Sequence, residues 1–98
     1  MGKPDRSDIA EWRARIDALD LQLVRLLNDR AGCAIEIGRI KRQRGLAIYD
    51  PQREESIVET VTRNNRGPLD ANGVRRLFER IIDESRRIER LTAQKENR

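Results

Sequence analysis

No histidine occurs among the 98 residues. That removes the commonest general base and the commonest metal ligand. Cys33 is the single cysteine, so an internal disulfide and a cysteine metal cluster are both impossible. It sits in the apolar stretch AGCAIEIG, which reads as a small buried residue rather than a nucleophile. Aromatics are limited to Trp12, Tyr49 and Phe78. No segment reaches the roughly 18 apolar residues that span a membrane, and the opening MGKPDRSD lacks the apolar stretch of a signal peptide. The chain therefore reads as soluble, cytoplasmic and reduced. Alternating apolar and polar residues nowhere persist long enough for a strand, so the fold class is all-α.

Apolar residues make up 37% of the chain and charged residues 39%. One small domain covering residues 1–98 is expected, with about 1–6 and 94–98 frayed. A core of this size is marginal, and a partner chain would add burial. The net charge is +4, which suits nucleic acid or an anionic small molecule. Basic residues do not interleave with aromatics and no helix-turn-helix segment stands out, so nucleic acid is not expected as a partner. Only three of the 21 basic residues are lysines, and Lys41 is the one far from both ends. In an arginine-biased chain, that position either holds lysine by chance or favours a compact point charge over a fork.

Three helices are expected: one long, one short and one medium. The first runs from about Ser7 to about Arg44, capped by Ser7 or Asp8, with Ile9, Ile16, Leu19, Leu23, Leu26, Leu27, Ala34, Ile37 and Ile40 at three- and four-residue steps. At 1.5 Å per residue it would be roughly 55 Å long, too long to bury its own face in a compact monomer. Gly45 reads as its C-cap. Asp50 caps the second helix, Pro51 takes its first position, and the helix ends near Asn64. NNRGPLD is turn chemistry. Asp70 caps the third helix, Ala71 to about Thr92, whose stripe is Val74, Leu77, Phe78, Ile81, Ile82, Ser85, Ile88 and Glu89.

Charges fall on positions that apolar residues would normally hold. Ala34, Ile37 and Lys41 lie within about 40° of Arg30 around the first helix. The two cations, roughly 16 Å apart, could be solvated at the stripe's edge or could close on a small metabolite. Glu54 lies three, four and seven residues before Ile57, Val58 and Val61, with Arg53 beside it. Ser85 and Glu89 extend the third stripe. A buried polar or charged group without a partner costs several kcal/mol, roughly 2–7 for a neutral one, so the three helices together describe a polar, net-positive pocket suited to a small di-anion. Arg13 lies about 25 Å from Arg30 along the helix and about 100° off its face. It could reach such a pocket only in an antiparallel partner.

The stretches WRARIDALDLQLVRLLNDR, AIEIGRIK, YDPQREESIVETV and LFERIIDESRRIE occur in an order and spacing that closely resemble the all-helical chorismate mutases, over about Ile9 to Arg90. The resemblance implies an intertwined homodimer of three-helix chains with two shared active sites. It implies the rearrangement of chorismate to prephenate, a pericyclic step needing no cofactor, in aromatic amino-acid biosynthesis. Arg30, and Arg13 from the other chain, match the arginines that grip the carboxylates. Lys41 matches a lysine that contacts a carboxylate and the breaking ether oxygen. Asp50 and Glu54 match positions that hold the ring hydroxyl, Arg53 a supporting basic position, and Ser85 a carboxylate contact. Glu89 falls where many relatives carry glutamine, so its carboxyl would need a proton to donate to the ether oxygen. An isochorismate-pyruvate lyase of the same fold is the alternative. A partner enzyme of the same pathway that boosts activity is compatible with the sequence.

Overall fold

The structure is a computed structural model that describes residues 5–97. Residues 1–4 and 98, part of the ends expected to fray, lie outside the described residues. The chain is helical: α1 spans Asp5–Arg44, α2 Pro51–Arg63 and α3 Ala71–Glu96, with no strand among the described residues. No described helix is long and apolar enough to cross a membrane.

Proline is absent from the interior of α1, and Gly32 and Gly38 are its only glycines. It begins at Asp5, so Ser7 and Asp8 lie inside the helix instead of capping it. Its end is set by chain chemistry. Gly45 takes φ 68°, a left-handed conformation open to glycine at little cost. Its N–H bonds the Arg42 carbonyl at 3.3 Å, and the Leu46 N–H bonds the Lys41 carbonyl at 2.8 Å. These two bonds form a Schellman motif, which satisfies carbonyls the helix leaves unpaired. Lys41, Arg42 and Arg44 in the last turn complement the negative end of the helix dipole.

Contacts divide the chain into two units, Met1–Arg30 and Ala31–Arg98. In the first, residues 8–29 are all exposed. Its apolar stripe is bare: Ile9 49%, Ile16 54%, Leu19 56%, Leu23 53% and Leu27 43% exposed, with Trp12 at 61% on the same face. An amphipathic helix keeps such a stripe for burial against something.

The second unit holds the last turns of α1 with α2 and α3. Asp50 caps α2, accepting the Arg53 N–H at 3.0 Å, and Pro51 follows at the first helical position. Asp70 caps α3, accepting the Gly73 N–H at 2.6 Å. Each cap satisfies one of the four orphan donors at a helix start. Between the helices, Asn65 Nδ2 donates to the Leu69 carbonyl at 2.7 Å, and Gly67 turns the chain at φ 75°. Val58 on α2 and Val74 and Ile82 on α3 are the buried apolar side chains. Burying one such side chain is worth about 1.5–3 kcal/mol.

Two sequence expectations shift. Helix α3 passes Thr92 and continues to Glu96, whose carboxylate pairs with Arg39 and with Arg42 Nη2, the latter at 2.6 Å. Residues 94–96 are thus helical. Cys33, expected to be buried, is exposed.

Candidate active site

Glu89 is the one buried charged residue among the described residues, 9% exposed. Helix α3 places it on the same stripe as Val74 and Ile82, seven residues beyond the latter. Gly38 of α1 lies against it: a Cβ at Gly38 would meet Glu89 Cγ at 3.4 Å and Oε2 at 3.5 Å, ordinary contact distances. Oε2 is buried and has no hydrogen-bond partner. Such an orphan is costly unless something else satisfies it. Burial pushes the Glu89 carboxyl above the ordinary carboxylate range, and the charges of Lys41 and then Arg42 oppose the rise without cancelling it.

Lys41 stands at the end of α1 and donates from Nζ to the Ile48 carbonyl at 3.1 Å. An ammonium has three donors, so this bond anchors the side chain and leaves others for a ligand. It also ties α1 to the connector that leads into Asp50. The Asp50 carboxylate is engaged as the cap of α2. The Arg53 side chain is exposed and makes no ion pair among the described residues.

Glu54 lies on the inward stripe of α2, as the periodicity places it. Its Oε2 is 3.3 Å from Arg86 Nε on α3, and the carboxylate side chain is 23% exposed. Ser85 is half-buried, and its hydroxyl donates to the Ile81 carbonyl at 3.0 Å, one turn back along α3. The second unit therefore contains Lys41, Asp50, Glu54, Ser85 and Glu89, contributed by all three helices and the connector. Arg13 and Arg30 belong to the first unit, where Arg13 is exposed and Arg30 half-buried.

Sequence reasoning missed Arg42 and Arg86. Arg42 joins Lys41 in opposing the rise at Glu89, and Arg86 pairs with Glu54. A sequence signal for Arg42 existed, since it lies four residues after Gly38, on the same helical face. Arg86 carried a similar one, since it lies four residues after Ile82 and three before Glu89 on the third helix. No cluster of residues able to hold a metal ion occurs among the described residues. What the structure shows at Glu89 is a buried carboxyl of raised affinity for its proton, with the ammonium of Lys41 and the guanidinium of Arg42 close enough to oppose that rise. Such a set can stabilise charge that develops on a bound small molecule.

A family model described as chorismate mutase type II matches residues 12–90. The bifunctional chorismate mutase/prephenate dehydratase of Pseudomonas aeruginosa is 36% identical over 83 residues, which cover 80% of this chain and 23% of that protein. The chain thus spans less than a quarter of the length of the curated bifunctional relatives it matches. The chorismate mutase of Methanocaldococcus jannaschii is 28% identical over 83 residues, 84% of either chain. Among solved structures, chorismate mutase form II from Thermus thermophilus superposes with a TM-score of 0.83 at 35% identity, covering 85% of this chain and 94% of that one. Chorismate mutase from Helicobacter pylori in complex with prephenate gives a TM-score of 0.83 at 28% identity, over 90% and 96%. By the family match along most of its length, and by the same three-helix fold in solved relatives, the chain belongs to the type II chorismate mutases.

Proposed function

We propose that the protein rearranges chorismate to prephenate, as a cytoplasmic enzyme of aromatic amino-acid biosynthesis. The observation that carries this reading is Glu89. A carboxyl whose hold on its proton is raised by burial, with one oxygen unpaired and the charge of Lys41 close enough to oppose the rise, suits an ether oxygen that gains negative charge as its bond breaks. Lys41 is the second donor to that oxygen, and it also meets a substrate carboxylate. Both donors strengthen as charge develops, which lowers the barrier more than it tightens substrate binding. Asp50 and Glu54 hold the ring hydroxyl. Ser85 and Arg30 act on the carboxylates and fix the folded, diaxial conformer in which the two reacting ends meet, with Arg53 as a supporting cation. The step passes through no covalent intermediate and uses no cofactor.

The active unit in this reading is an intertwined homodimer. The bare stripe of the first unit, Ile9 to Leu27, is the surface a second copy would cover. Arg13 of the partner subunit would then complete each site. The test is direct. Purified protein is mixed with chorismate and its loss is followed by absorbance, with prephenate identified as product. Isochorismate is run in parallel. Conversion of isochorismate alone would refute the assignment.

A further inference from the structure

Arg86 is held in the second unit by several contacts at once. Its Nε lies 3.3 Å from Glu54 Oε2 on α2. Its Nη2 donates to Asp83 Oδ1 at 2.5 Å, one turn back on α3. Its guanidinium carbon sits over the Tyr49 ring of the connector, 5.2 Å from the centroid. Three stretches of chain thus hold one planar group. The Arg86 side chain is 33% exposed, so the pair with Glu54 is screened less than a surface pair. Nε is itself buried and has no hydrogen-bond partner, because its N–H is not aligned on the carboxylate even at ion-pair distance. The attraction is that of a fixed charge. It biases where the carboxylate sits without closing a hydrogen bond that a ligand would have to break.

We propose that Arg86 is a positioning residue, which holds Oε2 of Glu54 and braces the Tyr49 connector so that Glu54 presents its other oxygen to the substrate's ring hydroxyl. The proposal rests on the reading of Glu54 as the hydroxyl's partner. A carboxylate faced by a fixed cation on one oxygen has few orientations left for the other, which is what positioning requires. Asp83 and Tyr49 keep the cation in place: Asp83 by a charged hydrogen bond, Tyr49 by the stacking that a flat guanidinium makes and an ammonium does not.

A double-mutant cycle tests this, with kcat and KM for chorismate measured on wild type, Glu54→Gln, Arg86→Gln and the double variant, and helicity and thermal unfolding recorded for each. Arg86→Gln should lower kcat/KM roughly tenfold, mostly through KM, since a hydroxyl contact holds substrate and transition state alike. In the Glu54→Gln background the same change should cost less than about twofold. Arg86→Lys keeps the charge and should recover part of the loss; its own cycle with Glu54→Gln reads the same coupling if Arg86→Gln does not fold. Equal costs in both backgrounds would mean that Arg86 acts independently of Glu54, and would overturn the proposal while leaving the Glu54 reading intact. A wild-type-like Arg86→Gln beside an impaired Glu54→Gln would overturn it as well. A wild-type-like Glu54→Gln would remove Glu54 from the substrate site, and the proposal with it.

Discussion

Glu89→Gln separates the two things the carboxyl can do. In the wild type only the protonated acid donates a hydrogen bond; the carboxylate accepts, and repels the charge growing on the ether oxygen. Burial raises the carboxyl above its ordinary 4.5, with Lys41 and Arg42 opposing. Activity should therefore be lost as pH rises through that raised value, and kcat/KM reports it for the free enzyme. Well above it, the protonated fraction, and with it kcat/KM, falls about tenfold per pH unit. The fall ends where the remaining donors carry the reaction, about 10²–10³ below the plateau, the usual cost of one transition-state donor. Glutamine keeps the shape and always carries an N–H, so the variant should be flat over this range and faster than wild type at its upper end. Stability gives a second readout. A folded-state value above the unfolded one adds stability that is fully present below the unfolded value and lost as pH rises through the folded value. Denaturant midpoints should show that loss in wild type and not in Glu89→Gln. The assay is kcat/KM from pH 4.5 to 8.5 for both proteins. Superimposable profiles, or a folded glutamine variant dead at every pH, would refute the role of the proton.

Lys41→Arg keeps the charge but not the compact donor, and should cost ~10²–10³ in kcat; a rate within a few-fold of wild type would exclude Lys41 from the ether oxygen. Arg13→Ala and Arg30→Ala proteins, each inactive alone, should recover about a quarter of full activity when mixed, since half the dimers are mixed and each has one intact site; the absence of complementation after verified subunit exchange would rule out a shared site. In the same dimer the two-fold axis should cross α1 near residue 24, midway between Arg13 and the pocket near residue 35. A disulfide formed by Val24→Cys between copies would be expected on oxidation, and its absence would place the axis elsewhere. Gly38→Ala puts a methyl at ordinary contact distance from Glu89 and relieves a helix-interior glycine. It should fold with up to about 1 kcal/mol more stability, whereas Gly38→Leu should displace Glu89 and abolish activity without unfolding α3, as read by kinetics and circular dichroism.

The starts of α2 and α3 and the end of α1 were legible because caps act within a few residues of themselves. Asp50 with Pro51, Asp70, and Gly45 each satisfy a backbone group three to five positions away, so the sequence window contains the whole interaction. The end of α3 was not legible. Glu96 is held by Arg39 and Arg42, 57 and 54 positions earlier, and nothing near Thr92 announces that pairing. Cys33 shows the limit of reading burial from neighbours. Apolar flanks say that a stretch faces something, but which residue faces it depends on the packing partner, and in the chain by itself Cys33 stays exposed.

For the site, periodicity placed Glu54, Ser85 and Glu89 inward but could not say what meets them there. The structure distributes partners unevenly. Lys41 has the Ile48 carbonyl, Asp50 the Arg53 amide, Ser85 the Ile81 carbonyl and Glu54 the Arg86 guanidinium. Each of these groups already has a partner, and a further contact to a ligand is worth about 0.5–1.5 kcal/mol net for an ordinary hydrogen bond. Glu89 Oε2 has nothing to exchange. A ligand atom that accepts from it, or donates to it, relieves a desolvation cost already present in the folded chain. In the proposed reading that asymmetry divides the work: Asp50, Glu54 and Ser85 would select and orient the di-anion, while Glu89, with Lys41, would meet the ether oxygen, where interaction can still increase as the reaction proceeds. A carboxyl is better suited to that place than an apolar side chain of the same size. It is also harder to keep there, and in the proposed reading its proton, with the cations at Lys41 and Arg42 that oppose the rise, would decide the pH range in which the site works.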